Sequence, residues 1–158
     1  MRSVFRSTLK VLPLTLSLGA LFACAPSAPN ADALIASAKA VVTDHENVAM
    51  AGDLDGVMAN CAPDIVVMAS GAPLVEGLDA MREFYGGLLA AGSVEFRHDY
   101  SGAAVVGDAV VLHGVSRGTL TPPEGPATPM ENNFLMVLKP DEVGEMKIWR
   151  VGFAPPSM

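Results

Sequence analysis

Residues 81–100 read MREFYGGLLAAGSVEFRHDY, and the apolar period changes in the middle of them. Met81, Phe84, Tyr85, Leu88 and Leu89 recur at three- and four-residue intervals, which lines one face of an α-helix. Gly92 closes that helix, and from Val94 to Tyr100 the period becomes that of a strand. The chain therefore divides here into a helical half and a strand half.

Upstream, Leu34, Ala38, Val41, Val42, His45, Val48 and Ala49 predict a first helix that ends at Gly52, with His45 inside its apolar stripe. Asp53 can cap a second, shorter helix whose apolar face is Leu54, Val57, Met58 and Cys61. A short strand follows at Asp64 to Met68, and Gly71-Ala72-Pro73 turns the chain into another at Leu74 to Glu76. Downstream of Tyr100, Ala103 to Val106, Ala109 to Thr119, Asn133 to Lys139 and Met146 to Phe153 are β-rich. Gly107-Asp108, Pro122 to Pro129 and Asp141 to Gly144 punctuate them. Three helices followed by an antiparallel meander predict an α+β fold, with the helices packed on a curved sheet. Phe134-Leu135-Met136-Val137-Leu138 is apolar on both faces, so the outer face needs cover too; a homodimer that packs sheets together supplies it.

Arg2, Arg6 and Lys10 precede an apolar run from Val11 to Ala23, the layout of an export signal rather than of a folded segment. Pro13, Thr15, Ser17 and Gly19 interrupt the run, and it falls short of the roughly 20 apolar residues of a spanning helix. Leu21-Phe22-Ala23-Cys24 resembles the bacterial lipobox, with Phe22 departing from its usual small or β-branched residue. Ordinary cleavage after Ala25 or Ala28 would leave Pro26 or Pro29 directly behind the cut, which suits a protease badly. The reading is therefore a lipoprotein signal peptide over 1–23, lipidation at Cys24, a flexible tether over 24–33 and one domain over 34–158. Acyl chains on Cys24 would attach the chain to a membrane. Resemblance to Gram-negative lipoprotein sorting, with Ala25 after the cysteine, places it on the outer membrane facing the periplasm.

Losing the leader removes three of the ten Lys and Arg and none of the seventeen Asp and Glu. Seven basic residues then face seventeen acidic ones, a formal charge of −10, and so acidic a surface repels phosphate backbones and excludes nucleic acid as a partner. Once Cys24 is lipidated, Cys61 has no intramolecular partner and reads as a buried thiol. His98-Asp99, His113, Asp44 and Glu46 match no metal-ligand spacing, and strand parity does not gather them, so neither metal nor cofactor is expected. Asp53-Leu54-Asp55-Gly56 is better explained by helix capping than by calcium.

Three stretches carry a resemblance to the cone-shaped nuclear transport factor 2-like, SnoaL-like and ketosteroid isomerase-like proteins. They are Gly52 to Asp55 leading to Pro63 to Met68, Glu76 to Met81 leading to Phe84-Tyr85, and the closing hairpin Val137 to Phe153. The resemblance implies that fold across most of the domain. Carried over from the isomerases, the oxyanion-binding tyrosine falls on His45 and its supporting tyrosine on Tyr85. The catalytic base falls on Ala69 and the protonated acid on Met136, which can fill neither role, so a steroid-isomerase-type reaction is rejected.

What the resemblance leaves is a pocket in which His45, Phe84, Tyr85, Met136, Trp149 and Phe153 converge between helices and sheet. Such a lining suits a small, mostly apolar ligand with one hydrogen-bonding group. Each residue also has a plainer reading: His45 as a core histidine satisfied by Tyr85, Tyr85 as a core aromatic, Trp149 and Phe153 as packing. The expectation is an exported domain that binds such a ligand without obvious catalysis. Two alternatives stand beside it: a SnoaL-like isomerase, cyclase or hydratase using His45, and a non-catalytic dimeric interaction module.

Overall fold

The structure is a computed structural model and describes residues 30–156; the predicted signal peptide, Cys24 and most of the tether lie outside the described residues. Helix α1 spans Ala31–Met50, three residues longer at its start than the sequence pattern indicates. Asn30 explains the extension, because its side chain accepts the Asp32 amide and caps the first turn. Residues 31–33, read above as tether, are therefore helix. Asp53 caps α2, Leu54–Ala59, by accepting the Gly56 amide, as its position before an apolar run suggests. Helix α3 is Gly77–Ala91.

Six strands form one sheet: β1 Cys61–Ala69, β2 Val75–Glu76, β3 Ser93–Val106, β4 Ala109–Thr121, β5 Thr128–Pro140 and β6 Met146–Ala154. Their order is β2-β1-β6-β5-β4-β3. Neighbours are antiparallel except β1 and β6, which run parallel and join the two ends of the fold. The segments read as separate strands at Val94 to Tyr100 and Ala103 to Val106 are one long strand with an irregularity between Tyr100 and Gly102. Next to that irregularity the two strands approach closely: a Cβ on Gly114 would stand 1.9 Å from the Asp99 carbonyl oxygen, so only glycine admits the approach.

The helices cover the concave face. Val42 of α1, Val57 of α2, Ile65 and Val67 of β1, Leu112 of β4, Leu138 of β5 and Ile148 of β6 are almost wholly excluded from water and form the core between the layers. Burial of each such side chain contributes about 1.5–3 kcal/mol relative to exposure. Across the outer face, register aligns Met68, Gly152, Leu135 and His113 in one row over four strands. Met68 and Leu135 there are 52% and 51% exposed. Among the described residues no helix is long and apolar enough to cross a membrane.

Candidate functional site

Helix α1 brings two adjacent polar side chains to the concave face, where each meets a different element. His45 reaches α3, and its Nε2 lies 2.7 Å from the Tyr85 hydroxyl, with both groups buried. Burial, and secondarily the neighbouring His98, lowers the His45 pKa from 6.5 to about 4, so this imidazole is neutral at ordinary pH. Burial also raises the Tyr85 phenol above its usual value, so it keeps its proton. The tautomer that uses the hydroxyl proton has Tyr85 donating to Nε2, which leaves Nδ1–H as a donor.

Glu46, one residue on, reaches β3. Its Oε1 accepts the His98 backbone N–H at 2.8 Å and lies 2.9 Å from His98 Nδ1. A carboxylate only accepts, so Nδ1 carries a hydrogen, and in the neutral ring Nε2 holds the lone pair. The His98 and Glu46 side chains are 2% and 5% exposed. Arg97 Nη1 stands 3.6 Å from the other carboxylate oxygen and partly offsets the buried charge.

Neither imidazole is fully satisfied: His45 Nδ1 and His98 Nε2 are buried and have no hydrogen-bond partner. Buried polar atoms in that state are uncommon and ask for an explanation. Both rings line one enclosed chamber of about 50 Å³, together with Met81, Met136, Ile148 and Val151. Beside the chamber lies an apolar vestibule of about 230 Å³ whose wall includes Ala69, Leu88, Val94, Ser116, Met130 and Asn132. Phe84, Tyr85, Phe96, Ser116 and Phe153 belong to both spaces. The chamber is wide enough for a polar end group, and the vestibule for a small apolar body.

Five of the six residues expected in the pocket thus line it: His45, Phe84, Tyr85, Met136 and Phe153. Trp149 does not. Val137 pairs with Arg150 while Leu138 pairs with Ile148, so Trp149 is an extra residue in a β-bulge and simple alternation fails there. Its ring faces outward, donates to Asp64 Oδ2 at 2.8 Å, and lies between Lys139 Nζ and the Arg150 guanidinium, 4.2 and 4.1 Å from the ring centroid.

Glu46 and His98, weighed above only as metal ligands, and Ser116, which the sequence pattern did not single out, join the site. Strand parity does not gather the histidines and acids, yet His98 and Glu46 meet; among the described residues no group of three or more metal-ligating side chains forms. Phe96, His98 and Tyr100 share the inner face of β3 with Val94, and that alternation points His98 inward. Ser116 centres the pentad Gly114-Val115-Ser116-Arg117-Gly118, a Gly-x-Ser-x-Gly signal that sits in mid-strand instead of on a strand-to-helix turn.

A curved sheet covered by three helices, with an enclosed cavity between the layers, is the architecture of the cone-shaped α+β proteins. Residues 42–144 match the SnoaL-like domain, and the chain belongs to that family. Among solved structures, the fold is similar to a ketosteroid isomerase-like protein from Erwinia carotovora, with a TM-score of 0.65, 21% identity, and 77% of this chain and 96% of that one covered. It is also similar to a nuclear transport factor 2-like superfamily protein from Salmonella enterica, with a TM-score of 0.71, 13% identity, and 80% and 94% coverage. A conserved protein from Planctomyces limnophilus has a TM-score of 0.72, 12% identity, and 79% and 99% coverage. Among curated proteins no match is found.

Proposed function

We propose that this SnoaL-like domain binds a small, mostly apolar molecule with one hydrogen-bonding end, the end held between His45 and His98 and the body in the vestibule. The observation that carries the reading is the pair of buried, unpartnered ring nitrogens on two histidines that line one enclosed space. A ligand group that both accepts from His45 and donates to His98, such as a hydroxyl, satisfies both. Native mass spectrometry of full-length protein taken from its own membrane should show a bound small molecule. No bound compound, and no binder in a broad panel of hydrophobic compounds, overturns the reading.

A second reading is an isomerase, cyclase or hydratase using His45, supported by an imidazole held neutral inside the pocket. His45→Ala separates the two, since turnover vanishes in an enzyme whereas a binder loses only part of its affinity.

The same proposal places the chain outside the cytoplasm, exported by residues 1–23 and lipid-anchored through Cys24 on the outer membrane, facing the periplasm. Support comes from the leader and the lipobox-like stretch alone. Cys24→Ser should move the protein from the membrane to the soluble fraction, and continued membrane attachment refutes the anchor. The half-exposed Met68 and Leu135 in one row of the outer sheet face support a homodimer with that face inside. Leu135→Asp should halve the mass seen in sedimentation without loss of fold; a wild-type monomer overturns the dimer.

A further inference from the structure

One inward-facing row crosses three adjacent strands: His98 on β3 pairs with Ser116 on β4, and Ser116 pairs with Asn132 on β5. Directly opposed residues in an antiparallel pair have Cβ atoms about 4.5–5.5 Å apart, which makes these three side chains immediate neighbours on the inner face. Behind His98 stands Glu46, which accepts the Nδ1–H bond, so in the neutral ring Nε2 is a buried lone pair with no partner. His98 and Ser116 line the chamber, and Ser116 and Asn132 line the vestibule. Gly114 and Gly118 occupy the inner face of β4 on either side of Ser116, so the hydroxyl stands without side chains before or after it on its own strand.

We propose that Ser116, His98 and Glu46 form a serine hydrolase site for small carboxylic esters with an apolar acyl group, Asn132 donating to the oxyanion. The inference rests on the ligand-binding reading above, because the acyl chain needs the vestibule. Nucleophile, base and a carboxylate that orients the base are the parts acyl transfer needs, and such sets are recognised by geometry rather than by chain order.

His98 Nε2 takes the proton from Ser116 Oγ as Oγ bonds to the carbonyl carbon, and the carbonyl π pair moves onto oxygen, where the Asn132 amide donates to it. Collapse of the tetrahedral intermediate breaks the bond to the alkoxide, which leaves with the proton from His98. Water then gives a proton to His98 and attacks the acyl group; Ser116 recovers its hydrogen and a carboxylic acid departs. Ester and water become acid and alcohol, with no other reactant. Glu46 acts through His98 and is a positioning residue.

The test uses the full-length chain with a fluorophosphonate and with p-nitrophenyl butyrate. One phosphonyl group is expected on Ser116 in peptide mass mapping, with steady release of p-nitrophenol. Ser116→Ala, a small change on a half-buried strand, should abolish the label and lower kcat by about 100-fold or more. Glu46→Gln should lower kcat by a similar factor with KM nearly unchanged, and Glu46→Asp should restore part of it. Absence of both label and turnover, or turnover in Ser116→Ala at the wild-type rate, overturns the proposal. A ligand retained in native mass spectrometry alongside an unlabelled, inactive Ser116 sinks the hydrolase and leaves the binding reading standing.

Discussion

Acidification should destabilise this protein through His45 specifically. The native imidazole titrates at about 4, against 6.5 for the unperturbed group, with burial as the main cause and the neighbouring His98 second. Between those values the unfolded chain holds a proton on His45 and the native one does not. Protons bound only by the unfolded state favour unfolding as pH falls, so stability due to this group is present above pH 6.5 and is lost on the way down to 4. At about 1.4 kcal/mol per pH unit across that window, the loss is about 3 kcal/mol, a large share of the 5–15 kcal/mol typical of a small domain. Urea unfolding of wild type and His45→Gln at about pH 7 and about pH 4 isolates this contribution, because carboxylate titration is shared by both proteins. Wild type should lose about 3 kcal/mol more than the variant on acidification, and the variant should start lower because the Tyr85 bond is altered. Parallel losses in the two proteins would refute the claim that His45 is buried uncharged.

Three further outcomes test the packing around the site. Tyr85→Phe leaves His45 Nε2 buried without a partner and should cost about 1–3 kcal/mol in denaturant unfolding. Gly114→Ala drives a methyl against the Asp99 carbonyl, so thermal melting should show a loss of several kcal/mol or failure to fold, whereas Gly86→Ala, whose new Cβ meets nothing within 4 Å, should be tolerated. Trp149→Phe removes the bond to Asp64 on the outer face and should change stability by about 1 kcal/mol or less while ligand affinity, measured by native mass spectrometry, stays the same.

The site combines an apolar lining with buried polar groups that the fold leaves incomplete. Glu46 is held by two N–H donors from His98, whereas each histidine has one buried ring nitrogen without a partner. Buried groups of this kind lower stability unless something completes them, which is what motivates the proposed ligand. Neither Ala69 at the vestibule nor Met136 in the chamber offers a carboxylate, so the polar chemistry available here comes from other side chains on α1, α3, β3, β4 and β5.

Local period and capping chemistry were enough to place the helices, because they depend on neighbours three or four residues away. The switch at Gly92 divided helical from strand halves, Asp53 announced α2, and the resemblance to the isomerases implied that His45 meets Tyr85. Trp149 escaped because one inserted residue in β6 inverts alternation, and whether a strand bulges is settled by its partner. The pairing of Glu46 with His98, 52 residues apart, depends on where α1 crosses the edge strand. The row from His98 through Ser116 to Asn132 depends on the register of two hairpins. Sequence alone therefore determined the order of the elements and most of the apolar faces they turn inward. Tertiary structure decided which polar side chains share the hollow, because strand register and helix crossing are set by packing of the whole core and by no local pattern.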